Sequence, residues 1–570
     1  MDKIPKKIKM TKEIREIIRK NELDGIIIPK NDTYFTEYSR SNILKNITNF
    51  SGSAGFAIIL KKKKLLFVDG RYTIQAKKEV GNKFEILQIP FIFPKNYFSN
   101  INKNLKIGYD PKYFTSDTLY KYFKYSCKLI PITNIFNLDK KIKTISKPFF
   151  FIGEKVTGES HISKIRKVIS YMKKNYIDSF YISAGENVCW LLNIRGHDLE
   201  NSPLANCKII LSKNGKINFF SNRNKIKKIK NKFKNITFNE EEDFYKILMS
   251  SKSKFFGIDK NTCSVYEENL INSQATIKVY QDPIYYYKAI KTKIEIKNMK
   301  DAHVEDGVAL TKFLYWIKSQ KEKVSELFIE QKLSNFRKKS LKYLYPSFNT
   351  IAGSGPNGAI IHYRATKKSN RYVNKRDILL IDSGGQYKWG TTDVTRTICF
   401  NKQSRNVKKN YTRVLKGHIA VLLANLEKYK TGHLIDKIAR KSLNKAGLNY
   451  SHGTGHGVGY FLNVHEGPQS LSNNNQINLK EGMILSNEPG YYLENNYGIR
   501  IENLIFINKL KKKLYFENLT LVPLDLDLVD FNLLNKREKE YIFYYHLNIY
   551  KKLSSRLNKK ERRWLIKLIQ

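Results

Sequence analysis

The sequence predicts an α/β protein of several domains. Three observations carry this. A helix–strand–hairpin order occurs twice in the first half, a long helical pattern opens the second half, and beyond about residue 345 short strands alternate with Gly-rich turns. The 570 residues suffice for three or four domains, and an apolar share of 41% suffices for their cores. An aromatic share of 13% argues against disorder.

In the first copy, a helical stretch over 11–21 leads into a short buried strand, Asp24-Gly-Ile-Ile-Ile-Pro29, and residues 56–60 and 65–68 read as a hairpin around a lysine-rich turn. In the second, a helical stretch over 165–175 leads into Asp178-Ser-Phe-Tyr-Ile182, and residues 208–211 and 216–220 form a hairpin around a Lys-Asn-Gly turn. The two opening strands begin 154 positions apart (178 minus 24), so two domains of one plan are expected, with a boundary near 145. A helix over 293–318 follows, then one over 326–339 with Ser325 as N-cap; both read as core packing. From Leu534 to Gln570 the chain reads as a helical tail. The expected domains are 1–145, 146–290, 291–527 and 528–570.

Several classes are set aside. No apolar run approaches the ~18 residues needed to span a bilayer, so no membrane is expected. The lysine-rich first twenty residues are interrupted by Asp2, Glu13 and Glu16 and lack an apolar stretch, unlike a secretory leader. The five cysteines are scattered without a CxxC pair, which fits a reducing compartment and gives neither a disulfide framework nor a zinc ribbon. A cytoplasmic location is expected. Lys and Arg number 103 against 51 Asp and Glu, a net +52. The lysines run from end to end and Asn and Ile are also abundant, so the charge reads as a chain-wide compositional bias. It is a field that attracts anions weakly, and no specific nucleic acid is expected.

The chemistry lies in the second half. Of ten histidines, His362, His452, His456 and His465 fall within one stretch, together with five isolated acids in apolar or Gly-rich surroundings: Asp382, Asp393, Glu466, Glu488 and Glu502. Asp382 ends the buried run Ile378-Leu-Leu-Ile381, where an ionised carboxylate needs compensation or serves as a turn residue. Asp393 abuts Val394-Thr-Arg-Thr-Ile398, read as the paired strand, where an acid is disfavoured without a task. His452-Gly-Thr-Gly-His456-Gly-Val-Gly459 sets four glycines around two histidines. A phosphate cradle is conceivable, but no Walker lysine follows, and a metal or catalytic role accounts for the histidines. Glu488 follows a strand, and Arg500 and Glu502 share one face of another if alternation holds. Singly, each acid is more often a surface residue; jointly, four acids and a histidine near strand ends point to a shared site. Two divalent cations would balance the four carboxylates, and oxygen-rich ligation with one imidazole suits Mn, Co or Zn. Such a pair, roughly 3.5 Å apart, lowers the pKa of water and clamps a tetrahedral intermediate.

Asp382, Asp393, His456, Glu488 and Glu502, in that order, resemble the five ligands of the pita-bread metallopeptidases. The surrounding runs are similar to one branch, the long three-domain Xaa-Pro aminopeptidases. These runs include Gly355-Pro-Asn-Gly-Ala-Ile-Ile-His-Tyr363, Gly390-Thr-Thr-Asp-Val-Thr-Arg-Thr397, Asn463-Val-His-Glu-Gly-Pro468, Asn487-Glu-Pro-Gly-Tyr-Tyr492 and Gly498-Ile-Arg-Ile-Glu-Asn503. Fainter matches, Asp69-Gly-Arg-Tyr72 and Trp190-Leu-Leu-Asn-Ile-Arg-Gly196, extend into the first half.

The resemblance implies two creatinase-like α/β domains and a pita-bread domain with a curved antiparallel sheet backed by helices. It implies a homodimer in which the C-terminal region takes part; Tyr541, Tyr544, Tyr545 and Trp564 suit burial at an interface or against the chain's own core. It also implies two metal ions, Mn²⁺ foremost and Zn²⁺ or Co²⁺ otherwise, bridged by Asp393 and Glu502, with Asp382 completing one site and His456 and Glu488 the other. The implied reaction is cleavage between an N-terminal residue and a following proline by a metal-bridging hydroxide. Glu488 would handle the proton, His362 and His465 would stabilise the tetrahedral intermediate or the leaving nitrogen, His452 would line the substrate site and Arg500 would orient substrate or Glu502. Glu466 stays structural. Two departures are the basic run Arg364-Ala-Thr-Lys-Lys368 and Trp389. The alternative within the class is a prolidase or a methionine aminopeptidase, and the double N-terminal plan favours the longer enzyme. The alternative from another class is an inactive relative acting as a basic binding module; retention of all five matching ligands favours activity.

Overall fold

The structure is a computed structural model describing residues 6–37, 39, 42–99, 104–136 and 147–569. The chain forms two compact units. One comprises the described residues up to Gly153 with Ser160–Glu200 and Leu204–Ile284; the other comprises Glu154–Glu159, Asn201–Pro203 and the chain from Tyr285 on. The domain boundary expected near 145 falls outside the described residues.

The first unit contains two six-stranded sheets of one topology. With strands counted along the chain, each sheet has the order 4-3-2-1-5-6. The first is built from Gly25–Ile28, Phe56–Leu60, Lys64–Asp69, Glu85–Ile89, Lys106–Tyr109 and Lys128–Pro131. The second is built from Ser179–Ile182, Lys208–Ser212, Ile217–Phe220, Ile236–Asn239, Phe255–Ile258 and Thr276–Val279. In both, strands one, two and three pair antiparallel, and the outer strands add in parallel. One device sets the register twice. Asp24 accepts the Lys106 N–H at the start of strand five and pairs with Lys61 in the hairpin turn at 3.0 Å. Asp178 accepts the Phe255 N–H at the same place and pairs with Lys213 at 2.7 Å. Both carboxyls are held below their ordinary range, Asp24 chiefly by the Lys106 amide and Asp178 chiefly by Lys213. The helices leading in, Lys6–Lys20 and His161–Lys174, occupy the predicted places.

The second unit opens with the helix Lys293–Lys318, capped by Thr292 in a box with Glu295. The next helix, Glu326–Arg337, is capped by Ser325 as expected and stops two residues short of the expected end, Lys339. Every strand pairing beyond residue 340 is antiparallel. Two three-stranded sheets, a two-stranded ribbon and a five-stranded sheet share the unit. Two helices not placed from the sequence, Arg405–Leu422 and Gly432–Asn444, supply the backing expected of the sheet. They back the five-stranded sheet: Val421, Ile435 and Ala439 pack with Leu485, Ile505 and Ile507. Their signal was present in the helical spacing of Tyr411, Val414, Leu415 and Ile419 and of Ile435, Ala439 and Leu443.

The tail folds as Lys536–Leu553 and Lys559–Lys567. Tyr545 is buried and bonds to Arg396, Tyr541 stacks on Tyr545, and Trp564 packs against Tyr315, so these three serve the chain's own core. Tyr544 is 63% exposed. Among the described residues no helix is long and apolar enough to cross a membrane.

His546 is wholly satisfied as a neutral ring. Its Nδ1–H donates to the Ile542 carbonyl, and Nε2 accepts the Leu524 N–H at 3.1 Å. Burial pushes its pKa down to about 4. The unfolded chain would take up a proton near pH 6.5 that the folded chain refuses. The stability His546 confers is therefore complete above ~6.5 and declines as the pH falls towards 4, by up to ~1.4 kcal/mol per pH unit. Urea unfolding at about pH 7 and about pH 5 should show this loss, and His546→Gln should reduce it.

Candidate metal centre

Strand ends and interruptions position the acids. Asp382 lies in Ile378–Ser383, the central strand of a three-stranded sheet, opposite Thr395. Asp393 lies in a two-residue break, Thr392–Asp393, between the strands Gly390–Thr391 and Val394–Cys399, rather than within the paired strand as expected. Glu488 lies in the break between Ile484–Asn487 and Gly490–Leu493. Glu502 lies in the break between Tyr497–Arg500 and Asn503–Leu510, which belong to different sheets, so the alternation expected to put it on one face with Arg500 ends before it. Each break lets a side chain leave the strand direction without costing a ladder bond. The freed amides find partners: Glu488 N–H donates to Thr454 O at 2.8 Å and Glu502 N–H to Thr395 O at 3.1 Å.

His456 sits mid-strand in Gly455–Gly457, between Glu466–Leu471 and Ile484–Asn487. The flanking glycines serve close approach, not positive φ: a Cβ on Gly455 would meet Ser486 O at 1.9 Å, and one on Gly457 would meet Glu466 O at 2.3 Å. His456 Nδ1 donates to Gly457 O at 2.9 Å, which leaves Nε2 facing Asp393 at 3.5 Å and Glu488 at 3.6 Å.

Three overlapping donor groups result: Asp382 with Asp393 and Glu502, His456 with Glu488 and Glu502, and Asp393 with His456 and His465, the donor atoms of each group within 4.8 Å of one another. All five expected ligands are therefore gathered. One oxygen each of Asp382 and Asp393 is buried without a hydrogen-bond partner among the described residues. The electrostatics are those of an overcharged cluster. Burial first, then Asp393, Glu488 and Asp382, pushes Glu502 well above the carboxylate range. Burial also raises Asp382 and Glu488. Burial opposes charge on His456, yet Asp393 and Glu488 outweigh it and raise its pKa. Protons are thus drawn in where positive charge is short. Four carboxylates, one imidazole and two orphaned oxygens fit a pair of divalent cations.

Around the cluster, Arg500 donates from Nη2 to Asp382 at 2.7 Å and from Nη1 to the Tyr492 hydroxyl at 2.8 Å. Tyr492 in turn meets His452 Nε2 at 2.9 Å, while His452 Nδ1 donates to Gly453 O. Asp382, Arg500, Tyr492 and His452 form one chain, so Arg500 holds Asp382, rather than Glu502 as the resemblance allowed, and Tyr492 links the pair to His452. Tyr492 was missed; a tyrosine next to another in Gly490-Tyr-Tyr492 carried no signal of its own. The His465 ring lies 4.3 Å from that of His456. His362 is outside the donor groups and follows Ile361, whose carbonyl Arg500 approaches at 3.4 Å. Glu466 is buried against Lys288 at 3.1 Å and Lys291 at 2.5 Å, a structural role as expected. Trp389 packs on Phe461 with Val156 and Ile296 nearby.

Comparison with known proteins agrees with this geometry. Residues 297–509 match Metallopeptidase family M24; residues 10–138 and 140–295 each match a Creatinase/Prolidase N-terminal domain; residues 512–570 match the C-terminal region of that peptidase. The chain is 34% identical to Xaa-Pro aminopeptidase 1 of Dictyostelium discoideum over 602 residues, covering 98% of this chain and 95% of the relative. It is 33% identical to the probable Xaa-Pro aminopeptidase P of Laccaria bicolor, covering 95% and 90%. Among solved structures, X-prolyl aminopeptidase from Caenorhabditis elegans, described as a cytosolic enzyme with a di-nuclear active site, superposes with a TM-score of 0.92 at 26% identity over 99% of both chains. The prolidase from Pyrococcus furiosus, at 25% identity and a TM-score of 0.51, covers 62% of this chain. The chain belongs to metallopeptidase family M24 with creatinase/prolidase N-terminal domains, in the branch of the Xaa-Pro aminopeptidases.

Proposed function

We propose that this chain is a metal-dependent aminopeptidase that hydrolyses the bond between an N-terminal residue and a following proline. The observation that carries it is the convergence of Asp382, Asp393, His456, Glu488 and Glu502 in one buried, overcharged cluster. These five residues would hold two divalent cations, with Asp393 and Glu502, each a member of two of the donor groups, placed to serve both; Mn²⁺ is the foremost candidate and Zn²⁺ or Co²⁺ the others. When bound, the cations supply a Lewis acid for the scissile carbonyl and make water acidic enough to attack at neutral pH. The residues do the rest. Glu488 accepts the proton of the attacking water, held ready by the Ser486 hydroxyl on Oε1 at 3.1 Å. His362 and His465 donate to the developing oxyanion or protonate the proline nitrogen, which leaves as a secondary amine. His452, fixed by Tyr492, lines the substrate site, and Arg500 keeps Asp382 in place.

A proline amide has no N–H and a fixed φ, so a pocket shaped to its ring discriminates by form. The boundaries near 145 and 290 are supported by the family matches at 10–138, 140–295 and 297–509; the match to the C-terminal region begins at 512, ahead of the expected 527. A homodimer is supported by the exposed apolar side chains Phe543 and Tyr544 on the tail, and a cytoplasmic location by the cytosolic description of the Caenorhabditis elegans enzyme.

The test is hydrolysis of an Arg-Pro-Pro peptide by metal-stripped protein with and without Mn²⁺, beside an Arg-Ala-Ala control. Metal-dependent release of arginine from the proline peptide alone is expected. Equal cleavage of both removes the proline preference; no cleavage with any divalent cation removes the activity.

A further inference from the structure

The last helix, Lys559–Lys567, carries charge of one sign on its outer side. At ~100° per residue, Lys559, Arg563, Lys567 and Lys560 fall within an arc of ~100° along ~12 Å of axis, with Arg562 beside it. All five are exposed. The opposite side is spent on the fold: Leu565 is buried, and Trp564 and Leu568 pack against the same core. The only acid of the helix, Glu561, is withdrawn from the outer side, buried and accepting the Asn558 N–H at 2.8 Å in the capping box. Some lysines elsewhere on the surface are neutralised by acids, such as Lys61 by Asp24, Lys213 by Asp178 and Lys300 by Glu517. Among the described residues none of these five cations lies within 4 Å of a carboxylate. A rigid, unpaired row of cations is therefore displayed, with no ordering of loops required to use it.

The geometry points to this stripe as a docking surface for the phosphodiester backbone of nucleic acid, bound without reading its sequence. Charge complementarity selects a polyanion, and the field of a chain at +52 steers it in. A lipid surface fits less well, because the apolar side of the helix is consumed by the core and nothing remains to insert. The row carries no residue that would tell RNA from DNA, so the two should bind alike.

The test is anisotropy of labelled oligo-U RNA and oligo-dT DNA titrated with the full chain across a salt series, with vesicles containing phosphatidylserine as a third arm. Four neutralised phosphates predict a slope of about −3 in log K against log salt on single strands. Replacing Lys559, Lys560, Arg563 and Lys567 together by glutamine should weaken both oligonucleotides about tenfold or more and flatten the slope by about 3, with peptidase activity unchanged. Replacing four exposed lysines elsewhere, Lys78, Lys121, Lys437 and Lys441, removes the same charge and should leave affinity within about twofold. Equal losses in the two variants would reduce the stripe to diffuse charge and overturn the assignment. So would binding to vesicles without binding to oligonucleotides, or no binding at low salt.

Discussion

Glu502→Gln should abolish turnover while raising the melting temperature of the metal-free protein. Glutamine keeps the shape of the side chain and an oxygen to accept the Thr395 hydroxyl, which lies 2.6 Å from Oε2. What it removes is an acid that the metal-free fold must either protonate or hold charged beside like charges, because burial and three neighbouring carboxylates resist its ionisation. Without metal, that removal relieves repulsion, and a rise of about 2 °C or more is expected. With metal, a donor oxygen is lost. Changes to groups that merely support metal ligands cost about 10–100-fold, so loss of a ligand itself should cost about 100-fold or more in kcat/KM. Scanning fluorimetry of stripped protein, metal content and Arg-Pro-Pro kinetics together check this. A variant with unaltered turnover would exclude Glu502 from the metal site. A lower melting temperature without metal would mean that the carboxylate is paired, not repelled.

Arg396→Met should be the most destabilising single replacement behind the site. Arg396 is 1% exposed and no carboxylate among the described residues answers it; instead it spends its fork on neutral acceptors. Nε donates to Pro523 O at 3.0 Å, Nη1 to Thr395 O and Glu502 O, and Nη2 to Val522 O, Asn503 Oδ1 and the Tyr545 hydroxyl. One side chain thus joins the backbone beside two site residues to the strand exit at 522–523 and to the first tail helix. Methionine fills the volume and leaves those acceptors buried and unmet, at a cost of about 3–5 kcal/mol. Arg396→Lys should fall in the same direction, since three donors on a flexible stem cannot serve a planar fork of five. Urea unfolding measures both. A loss under ~1 kcal/mol for methionine would show that water reaches these carbonyls.

Much of this was legible before any coordinates. The repeated plan followed from Ile-rich strands bounded by turn residues, because a strand's burial is written in its own side chains. The five donors stood out because acids and histidines are conspicuous in apolar or Gly-rich runs. What stayed hidden has physical reasons. Whether Asp393 and Glu502 lie in strands or in breaks depends on which sheet the chain joins next, a long-range matter. Arg396 was passed over, although Val394–Cys399 has no polar alternation and is buried throughout, which makes its arginine a buried cation. Lys288 and Lys291 could not be told from their neighbours, because in so lysine-rich a chain one more lysine carries no information about burial.

Those two lysines have a bearing on proteolysis. With 103 lysines and arginines, the chain offers trypsin cleavage points almost everywhere. Yet Lys288 and Lys291, at the entry to the peptidase unit, have side chains exposed by only 2% and 1% and are held by Glu466, so neither can enter a protease pocket until that segment opens. Brief trypsin digestion should nick the exposed Lys61–Lys63 turn and the lysine run at 227–234 first, leaving the peptidase unit and the N-terminal unit on one uncut stretch of chain at this junction.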